Sequence, residues 1–438
     1  MPEPAVYRSL KLSIVDGLLH AVMVGVSESY LGAFAVELGH GASDLALLTT
    51  VPLFAGSLAQ LLGPALTLRL GSRGRFVACG AALQGISLLA FYAIAQCEER
   101  RLGPLLLAKI LFWVAGLIIT PAWSAWMAHL TERIRRDRYF ALRSAASQTV
   151  LMVSFAGAGA ALERAASAKA LLNTYSVLFL VAVSARLGSA LALALQSDPK
   201  SDHDRKLLPV RERFGLALRT SEWRVALYLA ALMLGGQIAI PFFTPFMLRE
   251  LGLDYGQFTA LSTLSLLAKA LFFPVCHRLS LRFGLKPLVV ASGVGIALLP
   301  TIWAFADTLP PLVAAQLLSG VVWAGMDYAS FQLLLTSSRK ECRFEFLSLA
   351  NSLSGGLQVA GSLLGAQITQ GLGYREVFLW SALARGLALI LLVASIRRLR
   401  LPSELPRLFM RLLGVRPSGG ALRRPIITDA PPPDSEDR

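Results

Sequence analysis

Seven ionisable side chains stand inside stretches that are otherwise apolar: Asp16, Glu28, Lys109, Arg186, Lys269, Asp327 and Arg385. A charge at the centre of a membrane span costs about 2.5 to 3.5 kcal/mol on insertion scales, so each needs a partner, water or a task. Glu28, beside Ser27 and two residues before Tyr30, is placed to load and release a proton, as desolvated carboxylates do. His20 follows Asp16 by one helical turn on the same face and could relay the proton inward. Asp16 also reads as a helix cap near the inner surface, and His20 as a satisfied interior histidine.

Three further faces suit a solute. Lys109, Trp113, Gly116, Thr120, Trp123 and Met127 share one side of a helix, and a cation with two indole rings fits an anionic or aromatic organic molecule. The same pattern also fits an interface anchor, with Lys109 reaching outward. Ser262, Ser265, Lys269, Phe272 and Cys276 form a second stripe, and Gln316, Gly320, Trp323, Asp327 and Ser330 a third. Lys269 and Asp327 either line a cavity or form a buried structural ion pair. Asn351 and Gln358 are candidates for the same cavity. Arg186 and Arg385 take equivalent positions in the two halves of the chain, and a repeated charge reads as scaffold, bound to backbone carbonyls or a neighbouring helix.

The elements that hold these residues follow from composition. Of 438 residues 55% are apolar and only 16% charged, with mean hydropathy +0.59, which excludes a water-surrounded globule. A helix crossing the hydrocarbon core needs about 20 apolar residues. That length predicts twelve spans, at 12–36, 45–68, 75–96, 104–128, 145–163 and 171–196, then 225–248, 256–279, 286–306, 310–336, 346–370 and 376–396. The fifth and eleventh, rich in Gly, Ala, Ser and Gln, carry the weakest signal. The first span is too long and too polar for a cleaved signal peptide. A charged linker, 197–222, divides a bundle at 1–196 from one at 223–400, and a tail, 401–438, reads as an interfacial helix over 404–414 followed by disorder.

Absences narrow the chemistry. Cys79, Cys97, Cys276 and Cys342 are scattered, without a pairing or metal-ligand pattern. No phosphate-binding glycine loop, HExxH or GxSxG occurs, so neither ATP hydrolysis nor another enzyme activity is expected, and no cofactor.

The chain repeats itself. A shift of 213 sets Glu37-Leu38-Gly39 on Glu250-Leu251-Gly252 and LRLGSR (68–73) on LRFGLK (281–286). A shift of 207 sets RRDRYFALRSAAS (135–147) on CRFEFLSLANSLS (342–354), and a third match sets Ala185-Arg186 on Ala384-Arg385. Two six-helix halves in parallel orientation follow.

With that duplication the sequence resembles the major facilitator superfamily of transporters. The loop after the second span is similar to the family signature G-x-x-x-D-R-x-G-R-R/K through Arg69, Gly71 and Arg73, and the second copy through Arg282, Gly284 and Lys286. Leu68 and Leu281 replace the aspartate, and Pro64 and His277 stand where the leading glycine belongs. The resemblance implies an all-α polytopic membrane protein of twelve helices in two pseudo-symmetric bundles, with those loops gating between inward-open and outward-open states. It implies a secondary transporter of a small organic solute, here with proton coupling through Glu28. A lipid or pigment translocator, or a membrane assembly factor, is the alternative on the same scaffold.

Net charge completes the sequence picture. Lys and Arg number 42 against 27 Asp and Glu, a formal +15. With both termini inside, most of the basic residues fall on the cytoplasmic side, as the positive-inside rule requires, facing anionic lipids rather than nucleic acid. The expected location is the plasma membrane, or the inner membrane of a Gram-negative cell, and the expected state a monomer.

Overall fold

The computed structural model describes residues 4–40, 42–97, 100–131, 136–165, 168–197, 209–218, 223–253, 255–337 and 342–396. Most of the linker, the helix expected at 404–414 and the tail beyond it lie outside the described residues. Among those described, twelve long helices run in chain order. In the first half they are α1 (Pro4–Val26), α2 (Ala42–Ala59), α3 (Arg73–Gln96), α4 (Leu102–Leu130), α5 (Arg136–Glu163) and α6 (Ala168–Ala194). In the second they are α7 (Trp223–Ala239), α8 (Tyr255–Phe283), α9 (Leu285–Ala304), α10 (Leu309–Ser337), α11 (Arg343–Leu372) and α12 (Tyr374–Ile396). A short linker helix, Val210–Leu218, lies between the halves in sequence.

Ten of these segments are long and apolar enough to cross a membrane by length and composition. The Gly, Ala, Ser and Gln-rich fifth is among the ten. The remaining two, α11 and α12, take the places of α5 and α6 in the second half. α5 begins at Arg136, nine residues before the apolar stretch 145–163 that predicts it. Its first two turns are charged, so hydropathy assigns them to a loop, whereas the backbone continues helical.

Duplication is visible in the turns. Gly39 and Gly252 hold φ of +91° and +63°, and Gly71 and Gly284 hold +68° and +90°. Each pair is separated by the same 213 positions, and in each a left-handed backbone that only glycine adopts cheaply ends a helix. After Gly71, the Ser72 hydroxyl accepts from the Arg75 N–H at 3.1 Å and caps α3.

Packing repeats as well. α1 packs on α5 and α6, α2 on α4, and α3 on α4 and α6; α7 packs on α11 and α12, α8 on α10, and α9 on α10 and α12. The halves meet through a second symmetric pair of contacts, α5 on α8 and α2 on α11. Glycines allow the closest approaches, as expected where helices associate by packing in lipid. A Cβ on Gly56 of α2 would stand 3.1 Å from the Trp113 carbonyl of α4, while at the equivalent crossing Gly320 of α10 faces the backbone of Ser265 and Lys269 in α8. Large apolar side chains on α3, α6 and α12, among them Leu83, Ile86, Val177, Leu191, Leu387 and Ile390, are exposed, as lipid-facing positions should be.

One end is closed. Residues of α3, α4, α5, α11 and the linker helix pack together there, and it is called the linker end below. There Phe331 of α10 lies 6.4 Å from Trp123 and 4.9 Å from Phe140, ring to ring, so both halves contribute to one aromatic plug. A continuous apolar cluster surrounds it, reaching from Phe76 and Trp126 to Cys342, Phe344 and Phe346, with Ala217 of the linker helix included.

Candidate functional site

Both entry helices of the two halves lose α-helical form at equivalent depth. α1 passes into a 3-10 turn at Glu28–Tyr30 before Leu31–Glu37, and α7 into one at Ile240–Phe242. The causes differ. Pro241 has no N–H to return to the Gln237 carbonyl, so α7 must loosen. In α1 two serines compete for the backbone: Ser27 Oγ donates to the Met23 carbonyl at 2.7 Å and Ser29 Oγ to that of Val24 at 3.0 Å. Tyr30 anchors the broken segment to α5, donating to the Phe155 carbonyl at 2.8 Å and stacking on its ring at 5.0 Å.

Glu28 occupies this break, half-buried, with no hydrogen bond or ion pair among the described residues. Of the opposite charges acting on it, that of Lys109 of α4 is the strongest and that of Arg186 the next. One turn further along α4, the Trp113 indole N–H is buried without a partner among the described residues. A carboxylate, an ammonium and an unmatched indole donor therefore collect where α1 is interrupted. Trp123 does not join them: it lies in the plug, with Arg143 over its ring at 4.7 Å.

In the second half Lys269 Nζ and Asp327 Oδ2 stand 2.6 Å apart, the side chains 25% and 43% exposed. Those values separate the pair from a dry structural bridge, because solvent still reaches both ends. Trp323, one turn before Asp327, is half-buried. Gln358 of α11 accepts from Gln237 of α7 at 3.3 Å, one turn before the α7 break, and its amide donates to Ser354 at 3.4 Å.

A buried network that the sequence reading missed fills the linker-end half of the first bundle. Asp16, 4% exposed and in the interior of α1 rather than at a helix start, accepts from Arg143 at 3.1 Å and from Ser189 at 2.7 Å. Arg186 donates to Ser189 at 2.7 Å and to Gln84 at 2.8 Å. The capping role for Asp16 is thereby replaced by an ion-pair role, since neighbouring helices supply its donors. His20 lies within reach of the same two arginine charges, its Nδ1 buried without a partner. Asp16 and Arg186 were legible in the sequence as charges in need of partners, whereas Arg143, in the charged start of α5, was not.

Arg385 is held differently. It is 2% exposed and donates to the carbonyls of Ile296 at 3.0 Å, Gly236 at 3.4 Å and Gly235 at 3.5 Å. Pro300 leaves the Ile296 carbonyl without its helical partner, and Arg385 supplies the missing donor.

At the linker end Arg213 of the linker helix meets Glu345 of α11 at 2.7 Å, with side chains 6% and 1% exposed. Burial raises the Glu345 carboxyl above the usual carboxylate range, and the Arg213 charge opposes that rise. Of the signature-loop residues, Arg69 and Arg282 are exposed, and Arg73 is close enough for its charge to act on Glu345. Arg282 lies over the Phe283 ring at 5.1 Å, and Lys286 is half-buried just inside α9. His277 Nδ1 of α8 lies 3.0 Å from Asp137 Oδ2 of α5, a contact between the halves at the position of the signature's displaced glycine.

A groove of about 500 Å³ between α1 and α6, lined by Leu19, Val177, Leu180, Val181, Ser184 and Ala185, is apolar and opens on the periphery. None of the charged residues above reaches it.

Comparison with known proteins fits this geometry. The model of the Major Facilitator Superfamily matches residues 225–428, the second half and tail. A tetracycline resistance protein, class G, of Vibrio anguillarum is 30% identical over 136 residues; the match covers 31% of this chain and only 34% of that relative's length. Among solved structures, the fucose:proton symporter of E. coli superposes with TM-score 0.69 at 14% identity, over 88% of this chain and 98% of the other. A bacterial homologue of the iron transporter ferroportin, in an outward-facing state, gives 0.67 at 15%, over 89% and 100%. A human organic anion transporter gives 0.66 at 15%, again over 89% and 100%. At such identities these structures speak for the fold. The second half of the chain thus matches the Major Facilitator Superfamily model, and the duplicated twelve-helix fold is the one these solved structures share.

Proposed function

We propose that the protein is a secondary active transporter that carries a small organic solute by alternating access between its two halves, driven by protons taken up at Glu28. The observation that carries this reading is the paired interruption of α1 and α7 at equivalent depth, because helix breaks in corresponding positions of two repeats mark a midplane binding site. Glu28, Lys109 and Trp113 offer one wall of that site, and Lys269, Asp327, Trp323 and Gln358 the other. The linker end is the cytoplasmic one on this reading, since basic residues concentrate there. The aromatic plug is the inner gate, and the far end receives solute. The similar proteins are named for tetracycline resistance, iron, organic anions and fucose, so the solute class follows from this chain's own residues: an organic molecule with an anionic or aromatic group facing Lys109 and Trp113.

Proteoliposomes holding the full chain and a trapped pH-sensitive dye test the reading with a panel of aromatic carboxylates. Expected is solute-dependent proton flux that Glu28→Gln abolishes while solute exchange at zero gradient survives. Exchange without proton flux in the unaltered protein contradicts the coupling, and loss of both on replacing Glu28 contradicts its separate role.

A further inference from the structure

Arg143 touches both the buried carboxylate of α1 and the plug. Its Nε donates to the Ser13 carbonyl at 3.0 Å, its Nη2 to Asp16 Oδ2 at 3.1 Å, and its guanidinium lies 4.7 Å from the centre of the Trp123 ring. Gly17 makes the room, since a Cβ there would stand 2.9 Å from the guanidinium carbon. Trp123 in turn packs on Phe331 of the other half. A guanidinium whose in-plane donors are held by a carboxylate and a carbonyl presents its flat face in one orientation, and that face is what an indole ring binds.

We propose that Arg143 is the positioning residue that transmits the charge state of Asp16 to the plug. A charged Asp16 clamps Arg143 flat on Trp123 and keeps the linker end shut; a neutral Asp16 releases it and the plug loosens. The second Asp16 oxygen is held by Ser189, itself held by Arg186, so the change falls on the Arg143 side. Facing Asp16 from the two helices packed on α1 are Arg143 and Tyr139 of α5 and Arg186 of α6, with His20 on α1 itself. Tyr139 is occupied, donating to the Leu10 carbonyl at 3.0 Å.

The inference rests on alternating access, yet its test needs no solute, because Cys342 is 1% exposed within the cluster around the plug and reports its opening. Purified full-length protein is treated with N-ethylmaleimide and labelling is read peptide by peptide, with exposed Cys79 and Cys97 as internal references. Asp16→Asn and Arg143→Gln are each expected to speed Cys342 labelling about tenfold, the scale of a typical coupling between sites. The double variant should label no faster than Arg143→Gln alone, since both cut one link, whereas independent structural damage would multiply. Phe331→Ala, which removes the plug directly, separates the outcomes. Cys342 exposed by Phe331→Ala but protected in Asp16→Asn and Arg143→Gln overturns the role of Arg143 and leaves alternating access standing. Cys342 protected in all three overturns both. Should Arg143→Gln fail to fold, judged by labelling at Cys276, which is 0% exposed in a separate cluster, or by a lost thermal transition, Asp16→Asn carries the decision.

Discussion

Arg385 and Glu28 are both single charges in apolar surroundings, and they differ in what their side chains bind. Arg385 gives its donors to three backbone carbonyls, one of them, that of Ile296, orphaned by Pro300. Arg385→Met should therefore lower stability by about 1–3 kcal/mol for the carbonyl left unmatched. The loss should shrink in a Pro300→Ala background, where the substituted position returns an N–H to the Ile296 carbonyl; thermal unfolding of the four proteins in detergent decides, and an unchanged loss contradicts the assignment. Glu28 stands in its break with no such duty, and replacing it with Gln should leave thermal stability within about 0.5 kcal/mol, the range of changes that remove no structural contact. A large loss of stability would make Glu28 structural instead. Composition alone made both residues visible as charges out of place. Their different partners were not visible, because Pro300 and Ser27 act through backbone hydrogen bonds that residue types do not announce.

At the scale of elements, apolar run length recovered the helices but misread their ends where charge begins them. Arg143 in α5 and Glu345 in α11 sit in polar first turns, and both proved to make contacts across the molecule rather than to lie in loops. The Arg213–Glu345 pair joins the linker helix to α11, with Trp223 donating to the Ala217 carbonyl at 2.7 Å beside it. Removing Arg213 leaves a buried, unpaired carboxylate, so Arg213→Ala should destabilise this contact by about 3–5 kcal/mol, and Glu345→Gln in addition should recover part of it. Acid should also help. The folded protein holds the Glu345 proton to higher pH than the unfolded chain does, so stability falls as pH rises from the ordinary glutamate range through the raised folded value. Trp223 fluorescence should accordingly report a linker helix more firmly docked at pH 5 than at pH 8 in Arg213→Ala. The opposite slope would contradict the burial of Glu345 as a destabilised carboxylate.

Across the whole molecule, the duplication was legible as matched fragments, and the structure returns it as matched glycine turns, matched helix pairs and a matched pair of helix breaks. What no sequence periodicity could supply was the state: the plug of Trp123, Phe140 and Phe331 closes the linker end, and such ring contacts depend on how the two halves are tilted. Alternating access predicts that this tilt reverses. Spin labels at Arg69 and Arg282 read the linker end, and labels at Val36 and Leu372 read the far end; all four positions are exposed. In a background with the native cysteines replaced, pulsed electron resonance on reconstituted protein should show the first distance lengthening as the second shortens when pH or an aromatic carboxylate is varied. Distances that stay fixed at both ends, or that change together, would contradict the account.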